Sequence, residues 1–345
     1  MAKRFILVMP DDTGKPIIDA INAAKKSLRI KMFIFTDPDL IKAVIAAKNR
    51  GVKIDIMLNP SRRNGKEENI ESRKLLIDAG IEVKDSNPDF VITHEKSMVI
   101  DDKTAFVQSL NWETKNFNES RDYALFTSHK HEVDEIIAGF EADLNREDFD
   151  PGHNAHLIWC RGNGRERIAR LIDGAKHTLF VQNERYQDSV IIEHLVRAAL
   201  RGVKVHIMAK PPHSLKKDKL VEGVGGLRIM DDVGIKIHKL KSLKLHGKMI
   251  LADNVRAIVG SINLAPGSFD DRRELAIEVH DEDIVERLHK IARHDWENSY
   301  PLDLSDEGLI ADLEDYVKGS FASLALDVDE HAVKHHKQDK NLANE

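Results

Sequence analysis

The sequence predicts an α/β protein made of two repeated α/β domains, with mixed, mainly parallel sheets, packed about a pseudo-twofold with a shared site between them. Three observations carry this reading. One pattern of reactive residues occurs twice with the same internal spacing. The segments around it repeat as well, at an offset of 151 to 154 residues. Apolar runs of strand length alternate with amphipathic runs of helix length, which is the pattern of a largely parallel sheet.

The elements follow in order. The short apolar run before Pro10 reads as a first strand. Pro16 opens a helix, and AAKKSLRIKMFIF (23–35) supplies the next strand. Asp37 caps a helix that Pro38 opens. Leu40, Ile41, Val44, Ile45 and Ala47 share one face of it, and Gly51 ends it. NRGVKIDIML (49–58) then enters a buried strand. A third helix, the strand of DAGIEVK (78–84), a hairpin, a further strand and a closing helix complete the domain over 1–150. The second domain, 151–300, repeats this order: GAKHTLFVQNERY (174–186), LRGVKVHIMA (200–209) and DVGIKIHK (232–239) match the three strand segments. Turn residues mark the boundary near Phe149–Asn154.

Residues 301–345 have no counterpart in the first half. Ser305, Asp306 and Glu307 read as a helix start. Leu309, Ile310, Leu313, Tyr316, Val317 and Phe321 form a stripe expected to pack on the second domain, with a dimer contact or a lipid-facing lid as alternatives. The polar tail, 330–345, is expected to be disordered, with His335 and His336 solvated.

The repeated pattern sits in the hairpins. The first copy holds His94, Lys96, Asp101, Gln108, Ser109 and Asn111; the second holds His246, Lys248, Asp253, Gly260, Ser261 and Asn263. Eleven residues past each Asn stands a carboxylate, Asp122 or Glu274, preceded by Arg121 or Arg273. Each H-x-K lies in an apolar run that reads as a strand, where residues two apart share a face. Asp101 and Asp253 complete the pattern at a turn, and an unbroken strand would point them elsewhere. Ser109 and Asn111 return on the second strand of the hairpin. The set suits a phosphoryl group: Lys brings a point charge, Ser and Asn bring hydrogen bonds, and His attacks or carries a proton. Asp122 and Glu274 are candidates to fix a His tautomer.

Each half supplies half a site. A two-step displacement at phosphorus needs a nucleophile and a proton donor on opposite sides, and two facing hairpins provide both. This puts the active site between the domains. The chemistry needs no metal and no cofactor, and the sequence offers no metal-ligand cluster.

Composition narrows the class. The chain has 345 residues, 41% hydrophobic and 32% charged, as in a soluble globular protein. Its single cysteine, Cys160, fits a reducing compartment and reads as a small buried hydrophobe. No run approaches the length of a membrane span. The net charge of −6 argues against a general polyanion binder. The expected location is cytoplasmic, peripheral to the inner face of the membrane.

The double pattern H-x-K-x4-D-x6-G-S-x-N resembles the phospholipase D superfamily of phosphodiesterases and transphosphatidylases. The resemblance covers roughly residues 1 to 300, and the second copy is similar to the bacterial cardiolipin-synthase-like branch. The first copy departs at Gln108, where the family has Gly, so Gln108 is expected to narrow the site or add a hydrogen bond. The resemblance implies a covalent phosphohistidine, with His94 as nucleophile and His246 as general acid/base. The near symmetry of the copies leaves that assignment open. It also implies a phospholipid substrate met at an anionic membrane surface. The alternatives are a nuclease of the same type acting on DNA or RNA, and an inactive scaffold. Two basic loops, 59–73 and 210–219, follow equivalent strands, so Arg62, Arg63, Lys66, Lys216 and Lys217 are candidates to flank the site. An aromatic content of 6% counts against a base-stacking nuclease.

Overall fold

The computed structural model describes residues 2–62, 65–151, 156–211 and 217–309. The first half runs β1 (Arg4–Met9), α1 (Lys15–Ala23), β2 (Ser27–Met32), α2 (Pro38–Asn49), β3 (Lys53–Leu58), α3 (Ile70–Asp78), β4 (Val83–Asp85), β5 (Ile92–Thr93), β6 (Ser97–Ile100), β7 (Thr104–Gln108), α4 (Thr114–Asn118), β8 (Ser120–Thr127) and α5 (Lys130–Asn145). The second half repeats it as β9 (Leu157–Cys160), α6 (Gly164–Gly174), β10 (Thr178–Asn183), α7 (Ser189–Leu200), β11 (Lys204–Ala209), α8 (Lys217–Asp232), β12 (Lys236–Leu240), β13 (Lys244–Leu245), β14 (Lys248–Ala252), β15 (Arg256–Gly260), α9 (Pro266–Asp270), β16 (Arg272–Val279), α10 (Glu282–Glu297) and β17 (Ser299–Pro301).

Local chemistry accounts for the helices that frame the sheets. In α2, Asp37 accepts from the Asp39 and Leu40 amides, Pro38 starts the helix, and Leu40, Ile41, Val44 and Ala47 are buried. Gly51 follows it at φ 87°, a left-handed conformation that glycine adopts without strain. Asp188 caps α7 in the same way, accepting from the Ile191 amide.

Two sheets result, in the orders β1-β8-β7-β6-β2-β3-β4 and β17-β12-β11-β10-β14-β15-β16. They are mixed, as expected, but antiparallel pairing predominates over the expected parallel pairing. Along this order of the first sheet, β2–β3 and β3–β4 are parallel. The hairpin β6–β7 and strands β8 and β1 all add antiparallel. A hairpin inserted into a βαβ sheet reverses each following neighbour, and the sequence pattern understates this.

Each sheet is apolar on both faces. Along β6, β7 and β8, Met98, Ile100, Phe106 and Ala124 pack with α1 and α2 residues such as Ile17, Ile21 and Val44. The alternating residues Val99, Ala105, Val107, Tyr123 and Leu125 face a third core, shared with Met249, Leu251, Val259, Leu275 and Ile277 of the second half. Burial on both faces explains why these strands read as continuous apolar runs. Residues beyond Tyr300 join the second core: Leu302 and Leu304 are buried there, and Leu309 packs against it. The rest of the expected C-terminal stripe and the polar tail lie outside the described residues.

The two halves exchange contacts reciprocally. β5 of the first half pairs with β16 of the second, and β13 of the second pairs with β8 of the first. Arg121 binds Asp295 in α10 at 2.7 Å, while Arg273 binds Asp143 in α5 at 2.7 Å. All four side chains are buried, and Arg121 and Asp143 are also paired within the first half, with Asp11 and Lys31, so the cross-half pairs belong to larger buried charge networks.

This exchange corrects one expectation. His94–Lys96 and His246–Gly247 do not continue a strand; each lies in a break, between β5 and β6 or between β13 and β14. The chain pairs with the opposite half just before each His and with its own sheet just after it. The break is where it crosses.

Candidate active site

The crossing delivers each histidine to a carboxylate of the other half. His94 Nδ1 lies 2.9 Å from Glu274 Oε2, and His246 Nδ1 lies 2.8 Å from Asp122 Oδ1. Thr93 pairs with Arg273, and Leu245 pairs with Arg121. The strand residue before each His therefore lies beside the residue before its carboxylate, and the register sets both contacts.

The carboxylates are themselves held. Ser109 Oγ donates to Asp122 Oδ1 at 2.6 Å and accepts the Tyr123 amide at 2.8 Å. Asn116 Nδ2 donates to Asp122 Oδ2 at 3.0 Å. Ser261 Oγ accepts the Leu275 amide at 3.0 Å, next to Glu274. The hydroxyls expected to meet a phosphate are thus turned toward β8 and β16, and Ser109 orients the carboxylate behind the opposite histidine. Asn111 and Asn263 are buried just past β7 and β15, and the Oδ1 of each has no hydrogen-bond partner.

Both lysines join the histidines. Lys96 Nζ and Lys248 Nζ each donate to the carbonyl of their own histidine, His94 or His246. His94 is pushed well below the usual histidine range, first by burial and then by Lys96, Lys248, Arg272 and His246. The same surroundings bring Lys96 down to about 7, chiefly through burial, with Lys248 adding to the effect and Glu274 opposing it. Burial raises the Glu274 carboxyl, against the pull of Arg272 and Lys96. Groups of both halves act on one another, so the two motifs form a single cluster.

Two predicted members stand elsewhere. Asp101 and Asp253 occupy hairpin turns at φ 54° and 52°, at the far ends of β6 and β14 from the histidines. Asp101 accepts the amides of Lys25, Lys26 and Ser27; Asp253 accepts those of Lys176, His177 and Thr178. Each ties its hairpin turn to the start of β2 or β10. They position the hairpins and do not touch the reacting cluster. Gln108 also departs from expectation: it is fully buried and accepts from Trp112 Nε1 at 3.1 Å. Its counterpart Gly260 is needed for packing, since a Cβ there would lie 2.4 Å from Ala276 Cα.

Of the basic loop residues, Arg62 reaches the site's edge. Its guanidinium lies 5.7 Å from the Phe33 ring centre and its Nε 2.7 Å from Glu68. Lys66 also pairs with Glu68, at 3.0 Å. Lys217 opens α8, while Arg63 and Lys216 lie outside the described residues.

The sequence reading missed the residues that make the halves unequal. Glu184 Oε2 lies 2.8 Å from Lys248 Nζ and 3.9 Å from His246 Nε2. At the matching position Phe33 sets its ring 5.1 Å from the His94 ring and 5.2 Å from Lys96 Nζ. Aligning FIF with ERY, within the repeat already noted, would have exposed this swap.

Residues 17–144 and 168–296 both match the family model described as cardiolipin synthase, PLD-like domain. The chain belongs to the phospholipase D superfamily. Members of this superfamily carry out phosphoryl transfer. Among curated relatives of this phospholipase D-like chain, a polyphosphate kinase of Vibrio cholerae is 26% identical over 281 residues, covering 76% of this chain and 38% of that protein. Cardiolipin synthase B of Escherichia coli K12 is 24% identical over 313 residues, covering 77% of this chain and 73% of that protein. The chain thus spans well under half the length of the polyphosphate kinase. Two solved structures share the fold. Polyphosphate kinase from Porphyromonas gingivalis gives a TM-score of 0.69 at 17% identity, over 92% of this chain and 53% of that one. Phosphatidylserine synthase from Haemophilus influenzae gives 0.68 at 12% identity, over 93% and 94%. Among the described residues, no helix is long and apolar enough to cross a membrane, and no group of three or more His, Cys, Asp or Glu is placed to hold a metal.

Proposed function

We propose that this protein is a phosphodiester-cleaving enzyme of the phospholipase D type, acting on a phospholipid through a covalent phosphohistidine. The observation that carries the reading is the crossed pairing of His94 with Glu274 and of His246 with Asp122. Each imidazole has one nitrogen engaged by a carboxylate, which leaves Nε2 for the reaction.

The environments divide the roles. His94 stays neutral among cations, so its Nε2 carries a lone pair and attacks phosphorus. His246 has a carboxylate near each ring nitrogen, the surroundings of a proton donor. As the His94–phosphorus bond forms, the bond to the leaving oxygen breaks, and that oxygen takes the His246 Nε2 proton. Water or an alcohol then gives its proton to His246, attacks phosphorus, and releases His94. Lys96, Lys248, Asn111 and Asn263 stabilise charge on the phosphoryl oxygens. Working on phospholipid brings the protein to a membrane surface as a peripheral enzyme. The cardiolipin synthase and phosphatidylserine synthase relatives support a lipid substrate; the polyphosphate kinase relatives favour a polyphosphate as the second reading.

The test is product analysis by mass spectrometry, with phosphatidylglycerol vesicles in the presence and absence of glycerol. Phosphatidic acid or a glycerol adduct is expected, together with an acid-labile adduct on the His94 peptide. Turnover of polyphosphate or an oligonucleotide with none of the lipid would overturn the reading.

A further inference from the structure

The two half-sites share a backbone and differ at one decisive position. Lys31 of β2 stands opposite Ser97 of β6, and Gln182 of β10 stands opposite Met249 of β14, so the two sheets are in the same register. Phe33 and Glu184 each lie one residue past the end of β2 or β10. The first half therefore covers its His and Lys with an aromatic ring. The second half puts a carboxylate at the same place.

That carboxylate is not a surface charge. Its side chain is 14% exposed, and its Oε2 is the atom close to both Lys248 Nζ and His246 Nε2. His246 Nδ1 is occupied by Asp122, so Nε2 is the nitrogen that faces substrate. Lys210 adds a second cation 3.5 Å from Glu184 Oε1. Lys248, His246 and Lys210 outweigh the effect of burial and hold Glu184 well below the usual carboxylate range, so it remains an anion. Glu184 thereby offsets part of the Lys248 charge that a phosphate would meet.

We propose that Glu184 is a specificity-determining residue that limits the charge of the ligand: the site accepts a phosphate bearing one negative charge, a diester, and rejects dianionic monoesters and polyphosphate chains. A diester keeps one anionic oxygen pair, which Lys96 and the asparagines can hold. A second negative charge on the same phosphorus, or on the next one, must approach the Glu184 carboxylate. Like charges in a partly buried site oppose binding strongly. Phe33 does not offset this, because a ring face attracts cations and offers an anion nothing. This inference rests on the reading above only in placing the phosphate between His94 and His246. It departs from the polyphosphate kinase relatives in what the site will hold.

The experiment is equilibrium binding by calorimetry, which needs no turnover. The full chain and its Glu184→Gln and Glu184→Asp variants are titrated at pH 7 with diphenyl phosphate, with phenyl phosphate, whose second proton is lost at about pH 6, and with tripolyphosphate. The parent should bind the diester best. Glu184→Gln should gain roughly tenfold or more for both polyanions, the scale on which like-charge contacts act, with the diester changed by no more than about threefold. Glu184→Asp should keep the parent's ranking. A parent that prefers tripolyphosphate overturns the proposal, and so does a folded Gln variant with an unchanged ranking. Should Glu184→Gln fail to fold, the parent's ranking decides alone. A chain that ranks ligands as expected but cleaves no lipid removes the lipid reading and leaves the charge limit standing.

Discussion

His94 and Glu274 are 180 positions apart in the chain and 2.9 Å apart in space, and they meet because β5 leaves its own sheet to pair with β16. The mirror contact joins His246 to Asp122 through β13 and β8. Neither His94 nor His246 takes its Nδ1 carboxylate from its own half.

Removing the charge behind a histidine tests that arrangement. Glu274→Gln and Asp122→Asn should each lower kcat by about 100-fold or more, the usual scale of general acid–base contributions, with KM nearly unchanged. Steady-state kinetics on a lipid or on bis(p-nitrophenyl) phosphate reads this out. A loss confined to KM would show that the carboxylates serve binding instead.

The two histidines should fail differently. His94→Asn should abolish both turnover and the covalent adduct. His246→Asn should cut turnover by about three orders of magnitude, since nucleophile and acid act as a unit, but still form some adduct with a good leaving group such as p-nitrophenol. Intact-mass measurement after rapid quench distinguishes them. An adduct that survives in His94→Asn would reverse the assignment.

Activity should weaken above neutral pH. Lys96 is pulled down to about 7, so its ammonium is lost as pH rises through that value and the phosphate loses a cation. The expected kcat/KM profile falls on its alkaline side from near pH 7. Lys96→Arg keeps its charge at every accessible pH and should move that limb upward by at least one unit, if the guanidinium fits. An alkaline limb that stays in place would assign it to another group.

Asp101 and Asp253 should matter for stability and not for chemistry. Each accepts several backbone amides at a hairpin turn remote from the histidines. Asp101→Ala or Asp253→Ala should cost about 1–3 kcal/mol of stability by leaving those donors without their acceptor. Chemical denaturation measures the loss, while kcat of the folded fraction stays within about threefold, as expected for groups outside the reacting cluster. Both carboxyls are held below their usual range, with burial opposing and the amide bonds prevailing, so their contribution is present at neutral pH and lost on acidification through that lowered range.

Much of this was legible in the chain. The repeat, the α/β class, the α2 cap at Asp37 and the buried face of that helix all follow from periodicity and capping, which are local. The reactive residues were legible because their spacing recurs. Ser109 was misread because period-2 reasoning assigns a face and cannot say what else occupies it; Asp122 does. Gln108 was expected to narrow the site or add a hydrogen bond there, because nothing local announces that Trp112 will take its side chain.

The sequence by itself determined that two similar units form and that each carries a His, a Lys, an Asn and a carboxylate, because strand and helix formation depend on neighbours along the chain. Tertiary structure decided which carboxylate serves which histidine, why the strand breaks at His94 and His246, and how Glu184 and Phe33 make the halves unequal. Those contacts join residues far apart in the chain, and they exist only once the shared core of Val99, Val107, Met249 and Val259 has closed and brought the two sheets face to face.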